Sequence, residues 1–223
     1  MSAEARGIPF WSPDEVERSL AATIEHLQAG LVLAYPTETV YGFGTSTDHA
    51  AVESLVTLKK RPPAKPFLVL IAGSEMLDRI GVTLTPAASR LAARHWPGPL
   101  TLVLPGGERR VAARLRGPEG GIAVRWTSHA DLQRLIRGYG DAITSTSANL
   151  PGLPPATAAT EIVRQWTSAI VQGRLRVLDG GRLTQSAPST VVDCMGKRPR
   201  VIRPGAIPAA VLRETVPELV GDA

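Results

Sequence analysis

Apolar residues along the chain gather into short runs: residues 31–35 (LVLAY), 67–72 (FLVLIA), 100–104 (LTLVL), 121–126 (GIAVRW), 142–146 (AITST), 175–179 (LRVLD), 189–193 (STVVD) and 200–203 (RVIR). Most contain β-branched residues and are bounded by Gly or Pro, the pattern of β-strands. Residues 13–28 read differently. Ser12 followed by Pro13, Asp14 and Glu15 is a helix start, and Val16, Leu20, Ile24 and Leu27 then recur at helical spacing until Gly30. Further helices are expected near 48–60, 74–80, 85–95, 128–138, 157–168 and 208–215. Alternation of strands and helices, mixed with closely spaced strands, predicts one α/β domain built on a mixed sheet. No repeat, low-complexity segment or linker interrupts it.

Composition narrows the class. Hydrophobic residues make up 43% and charged residues 20% of the 223 residues, ordinary for a globular protein. No apolar run approaches the roughly 20 residues that span a bilayer, and the N-terminus lacks the layout of a signal peptide. A single cysteine, Cys194, excludes an internal disulfide and a cysteine-cluster metal site; a cytoplasmic setting is expected. The net charge of +5 and the pI near 9.9 suit an anionic ligand or nucleic acid. Aromatic residues, at 4%, are too few for a platform that stacks single-stranded bases.

Several familiar chemistries are missing. There is no Gly-x-x-x-x-Gly-Lys-Ser/Thr phosphate loop, no Gly-x-Gly-x-x-Gly after a strand and no Gly-x-Ser-x-Gly elbow. The histidines 26, 49, 95 and 129 are scattered and read as packing or surface residues. Four polar clusters stand out instead. The strand at 31–35 runs into Pro36, Thr37, Glu38, Thr39, Tyr41, Gly42 and Gly44. Here the glycines read as tight turns and Glu38 as a solvated side chain. Lys59, Lys60, Arg61 and Lys65 crowd a helix end stopped by Pro62 and Pro63. They suit either a favourable helix C-terminus or a stiff grip on phosphates. Residues 143–149 (ITSTSAN) carry a strand into small hydroxyls and Asn149. Ser189 opens one late strand and Arg203 closes the next.

Taken in order, PTETVYGFG, LKKRPPAKPFLVLI, WPGPLTLVLP, IAVRW, STSAN, LDGG, STVVD and IRPGAI resemble the YrdC-like family of threonylcarbamoyl-AMP synthases, in its short, single-domain form. The resemblance runs from about residue 14 to 208. It implies a twisted, open, mixed α/β sheet with flanking helices and a large concave basic cavity, with a lead-in at 1–12, the catalytic domain at 13–208 and a tail at 209–223. It implies a nucleotidyltransferase that joins L-threonine, bicarbonate and ATP into threonylcarbamoyl-AMP plus pyrophosphate. A downstream threonylcarbamoyl transferase complex would then modify adenosine in tRNA.

Carried over by motif, Thr37, Arg125, Ser145 and Ser189 would hold threonine. Lys59, Arg61, Lys65, Ser147, Asn149 and Arg203 would hold ATP, with Lys59 and Arg61 catalytic and Mg²⁺ arriving on the nucleotide. Three positions depart from the common family pattern: Leu70 where a histidine is frequent, Lys65 where an amide is common and Pro151 where a serine is frequent.

Two other readings share the fold. A carbamoyl-adenylate-forming enzyme would draw on carbamoyl phosphate. An RNA-binding or ribosome-assembly factor would contact tRNA or double-stranded RNA through the basic surface, with the arginines of 109–116 (RRVAARLR) contributing. Residues 150–160 (LPGLPPATAAT) read as a candidate lid.

Overall fold

Strand order in the structure, a computed structural model, runs β1–β8–β2–β3–β7–β4–β6–β5–β9–β10 across one mixed sheet. The structure describes residues 7–10, 12–60, 65–184 and 186–221. In chain order these form β1 (Ile8–Pro9), α1 (Pro13–Gln28), β2 (Val32–Tyr35), β3 (Gly42–Gly44), α2 (His49–Lys59), β4 (Leu68–Ile71), α3 (Glu75–Ile80), α4 (Pro86–His95) and β5 (Leu100–Leu104). Then follow β6 (Ile122–Trp126), α5 (Ala130–Tyr139), β7 (Ile143–Ser147), α6 (Ala159–Gln165), α7 (Thr167–Val171), β8 (Leu175–Asp179), β9 (Thr190–Asp193), β10 (Arg200–Arg203) and α8 (Ala209–Thr215). The expected mixed α/β sheet with flanking helices is what forms.

Local chemistry explains the best-defined boundaries. At the start of α1, Ser12 Oγ accepts from Glu15 N while the Glu15 carboxylate accepts from Ser12 N, a closed capping box with Pro13 at the first helical position. Helix α2 stops at Lys59, where Lys60 turns left-handed at φ 51°. Strands β4 and β6 run parallel, and β7 runs antiparallel to β4. Their register sets Leu70 beside Arg125 and Leu68 beside Ser145. Side chains alternate across a sheet, so these four share one face.

Three elements differ from the sequence expectation. Gly42 and Gly44 are not turn residues. They belong to strand β3, between β2 and β7. A Cβ on Gly44 would lie 2.1 Å from the Thr144 carbonyl oxygen, and one on Gly42 would lie 2.9 Å from the Tyr35 ring. Glycine is needed for close approach, not for a turn. The helix expected over 157–168 is broken at Trp166, whose ring packs edge-on against Phe43 at 4.8 Å. Strand β1, only two residues long, pairs in parallel with β8.

The largest fully buried side chains include Tyr35, Tyr41, Phe10, Phe43 and Phe67. The two buried phenols are satisfied. Tyr35 donates to the Thr144 carbonyl at 3.0 Å and Tyr41 to the Gly181 carbonyl at 2.7 Å, so neither carries the cost of an unpartnered buried hydroxyl. Both flanks of the 13–208 span reach the same core: Phe10 before it, and Leu212, Val216 and Leu219 after it, are buried.

Candidate active site

Four walls enclose a cavity of about 350 Å³ on one face of the sheet. The loop after β2 supplies Thr37 to Tyr41. The end of β7 supplies Ser145 to Ser147. The sheet floor supplies Leu68, Leu70, Ala123 and Arg125. The far side is closed by Thr101, Ser189, Val191 and Arg203. Six residues expected from the sequence therefore meet here: Thr37, Arg125, Ser145, Ser147, Ser189 and Arg203. A second, mostly apolar trough of about 320 Å³ abuts the first and shares Pro66, Ala123 and Val191 with it.

Arg125 is the central charge. It is 6% exposed, and its Nε donates to the Gly98 carbonyl at 3.0 Å. Its Nη2 lies 3.1 Å from Glu38 Oε2, an ion pair by distance, yet makes no hydrogen bond among the described residues. The guanidinium is thus anchored at one nitrogen and electrostatically balanced at another, with donor capacity to spare.

Glu38 corrects the sequence reading. It is not a solvated side chain. Its Oε1 accepts from Thr127 Oγ1 at 2.9 Å, Ser128 N at 2.6 Å, Ser128 Oγ at 2.8 Å and His129 N at 3.1 Å. Burial pushes its pKa upward, but Arg125 and the hydroxyls of Ser128 and Thr127 outweigh that and hold the carboxyl below its ordinary range.

Across the cavity, Arg203 Nη2 donates to the Ser189 carbonyl at 2.8 Å and to Ser189 Oγ at 3.0 Å. Ser189 Oγ is also 2.8 Å from Thr101 Oγ1. Thr101 was missed in the sequence because one hydroxyl inside LTLVL looks like part of a buried strand. Burial, with Arg125 as a second cause, lowers the Arg203 pKa. Two guanidiniums facing one cavity repel each other, and an anion between them relieves that repulsion. Thr37 lines the cavity, but its hydroxyl donates to the Val40 carbonyl at 2.6 Å and so closes its own loop. Of the hydroxyls in ITSTSAN, Thr144 is turned inward onto Thr45, while Ser145 and Ser147 face the cavity.

The basic cluster is not gathered on the cavity lining. Lys59 is 4% exposed, and its ammonium donates to Asn149 Oδ1 at 2.8 Å, to Asn149 O at 3.2 Å and to Ser147 O. Asn149 Oδ1 also accepts from Ser147 Oγ at 2.7 Å. Lys59 thus braces the Ser147–Asn149 turn from behind. Lys65 is exposed, just before Pro66 on the cavity rim. Arg61 lies outside the described residues. Leu70 does line the cavity, which makes that part of the floor apolar.

The candidate lid is tied down at several points: Tyr41 N donates to the Ala156 carbonyl and Ala156 N to the Ala148 carbonyl, both at 2.9 Å, Leu183 N donates to the Thr157 carbonyl at 2.8 Å, and Asn149 Nδ2 donates to the Leu153 carbonyl at 2.6 Å. In the arginine-rich segment, Arg114 pairs with Glu53 and Arg116 with Glu108, leaving Arg109 and Arg110 exposed. Among the described residues no three His, Cys, Asp or Glu side chains come together as a metal site, and no helix is long and apolar enough to cross a membrane.

An open mixed α/β sheet carrying a cavity with two guanidiniums and several hydroxyls has the chemistry of a site for small anionic ligands. The chain belongs to the family whose model, Sua5_yciO_yrdC and described as "Telomere recombination", matches residues 25–205. A threonylcarbamoyl-AMP synthase of Pyrococcus abyssi is 34% identical over 194 residues, covering 86% of this chain and 56% of that protein. One from Photobacterium profundum is 38% identical over 170 residues, covering 74% and 89%. The crystal structure of P. abyssi Sua5 complexed with L-threonine superposes with a TM-score of 0.84 at 29% identity, covering 96% of this chain and 62% of that one.

Proposed function

We propose that the chain is a threonylcarbamoyl-AMP synthase, condensing L-threonine, bicarbonate and ATP and releasing pyrophosphate. The observation that carries this reading is Arg125, a buried guanidinium with donor capacity to spare in a cavity lined by hydroxyls over a partly apolar floor, with a second guanidinium on the same lining. An amino-acid carboxylate would find a charge-assisted hydrogen-bond donor in Arg125. Ser145 and Thr101 offer hydroxyls to the rest of the amino acid. The apolar trough beside the cavity has room for a nucleotide base.

The chemistry needs position more than a nucleophile. The neutral threonine amine adds to the carbon of carbon dioxide derived from bicarbonate and loses a proton, giving a carbamate. A carbamate oxygen then attacks the α-phosphorus of ATP. The bond from that phosphorus to the bridging oxygen breaks, and pyrophosphate leaves with the electron pair. Arg203 would partner the negative charge on the α-phosphate. Ser147 and Asn149, braced by Lys59, would orient the phosphates, and Lys65 and Arg61 would meet the leaving pyrophosphate. Mg²⁺ is proposed to travel on ATP, because the one acid on the described lining, Glu38, is committed to Arg125 and the start of α5. Cys194 is no candidate nucleophile: it is buried, and burial pushes its thiol up to about 12. Transfer of the product to tRNA would fall to a separate transferase complex.

Isotope-labelled bicarbonate tests the reading. With ATP, Mg²⁺ and L-threonine, the adenylate recovered by mass spectrometry should carry the heavy carbon. An adenylate that forms only when carbamoyl phosphate replaces bicarbonate would reassign the enzyme to carbamoyl adenylation.

A further inference from the structure

Three walls of the cavity converge on one residue that the reaction does not consume. The Glu38 side chain is clamped at Oε1 by Thr127, Ser128 and His129, the turn by which β6 leads into α5. That turn begins two residues after Arg125. The Glu38 backbone carbonyl accepts from Ser186 Oγ at 3.1 Å, on the segment that leads to Ser189. Among the described residues, the side-chain hydrogen bonds of Glu38 fall on Oε1. Oε2 is left to face Arg125 at 3.1 Å.

We propose that Glu38 is a positioning residue for amino-acid recognition, acting through Arg125: it fixes where the guanidinium stands and limits the positive charge the cavity presents. The inference rests on the reading of the cavity as an amino-acid site. A buried guanidinium without a counter-charge is costly. Among the described residues on the lining, Glu38 is the one acid, and it faces Arg125. Its carboxylate is held by the turn that directly follows the strand carrying Arg125, which ties the positions of the two side chains together. Without it, Arg125 keeps a single anchor, the Gly98 carbonyl. Its charge and that of Arg203 are then offset by no acid on the described lining. Glu38 is too well held in its ionised form to serve as the base for the amine, so its contribution is geometric and electrostatic.

Glu38→Gln separates charge from shape, since the amide retains an oxygen for the α5 donors. The expected result is a threonine KM raised about tenfold or more, with kcat and the ATP KM each changed less than about threefold. A general loosening of the fold would move both KM values together, and equal shifts in the two overturn the proposal. In the double variant with Arg125→Lys, the Glu38→Gln effect should largely disappear, because its route to the substrate is gone; full additivity also overturns it. A second readout does not depend on the reaction. The Arg125 Nε–H proton, bonded to Gly98, should exchange with solvent about tenfold faster in Glu38→Gln by NMR, and unchanged exchange overturns the positioning role. Faster exchange in a protein whose wild type shows no threonine-dependent pyrophosphate release would uphold the positioning of Arg125 while rejecting the synthase reading.

Discussion

Lys59 Nζ donates to Asn149 Oδ1 at 2.8 Å across a separation of 90 residues. The same ammonium donates to two backbone carbonyls, Ser147 O and Asn149 O. An ammonium carries three donors, and these three acceptors occupy them. The end of α2 and the turn after β7 are therefore one unit, and the Ser147 hydroxyl is held in place by the same Asn149 oxygen.

Removing that brace should weaken both the fold and the nucleotide site. Lys59→Met leaves buried oxygens without a donor, at a cost of about 1–3 kcal/mol. Urea titration should show the loss of stability. The ATP KM should rise by about tenfold or more, while threonine binding measured by calorimetry changes less than about threefold.

Arg125→Lys tests carboxylate recognition. Lysine keeps the charge but loses the fork and the bond from Nε to Gly98. Threonine affinity by calorimetry should fall about tenfold, near 1.4 kcal/mol, with the melting temperature lowered only slightly.

Gly44→Ala tests the close packing of β3. An added Cβ would sit 2.1 Å from the Thr144 carbonyl and 2.9 Å from the Tyr35 hydroxyl. Neighbouring strands must part, at a cost of about 1–3 kcal/mol. Gly152→Ala makes the contrast: at φ +81° with nothing within 4 Å, it should cost only the left-handed backbone penalty, about 1 kcal/mol. Parallel thermal denaturation of the two variants separates crowding from backbone strain.

These glycines also show why some of the fold was hidden in the sequence. Eight strands announced themselves as apolar, β-branched runs. GFG did not, because glycines ordinarily weaken strands and mark turns. The close approach of Tyr35 and Thr144 that makes them necessary joins residues distant in sequence. Strand β1 was too short and too proline-bound to register. At the site, the hydroxyl-rich strand ends and Arg125 were legible as residue types in a pattern. Glu38 was not, since its partners at 127–129 lie 89 to 91 positions away. Nor did the basic cluster reveal that Lys59 turns toward the Ser147–Asn149 carbonyls rather than onto the cavity lining.

Acid should expose the Glu38 contribution. Its folded pKa is held below the ordinary value of 4.5. The stability it contributes is therefore complete above that value and lost as pH falls through the folded one. The stability gap between wild type and Glu38→Gln, from urea titrations, should stay level from about pH 7 to 5 and close below about pH 4. A gap that widens on acidification would mean that Glu38 is not held ionised.

The central claim is tested most directly by pyrophosphate release from purified protein supplied with ATP, Mg²⁺ and bicarbonate, titrated with L-threonine. The account predicts release that saturates with threonine, requires bicarbonate and is suppressed in Arg125→Ala, whose threonine binding is lost. Folded protein that binds ATP yet releases no pyrophosphate at any threonine concentration, or releases it at the same rate without threonine, would contradict it.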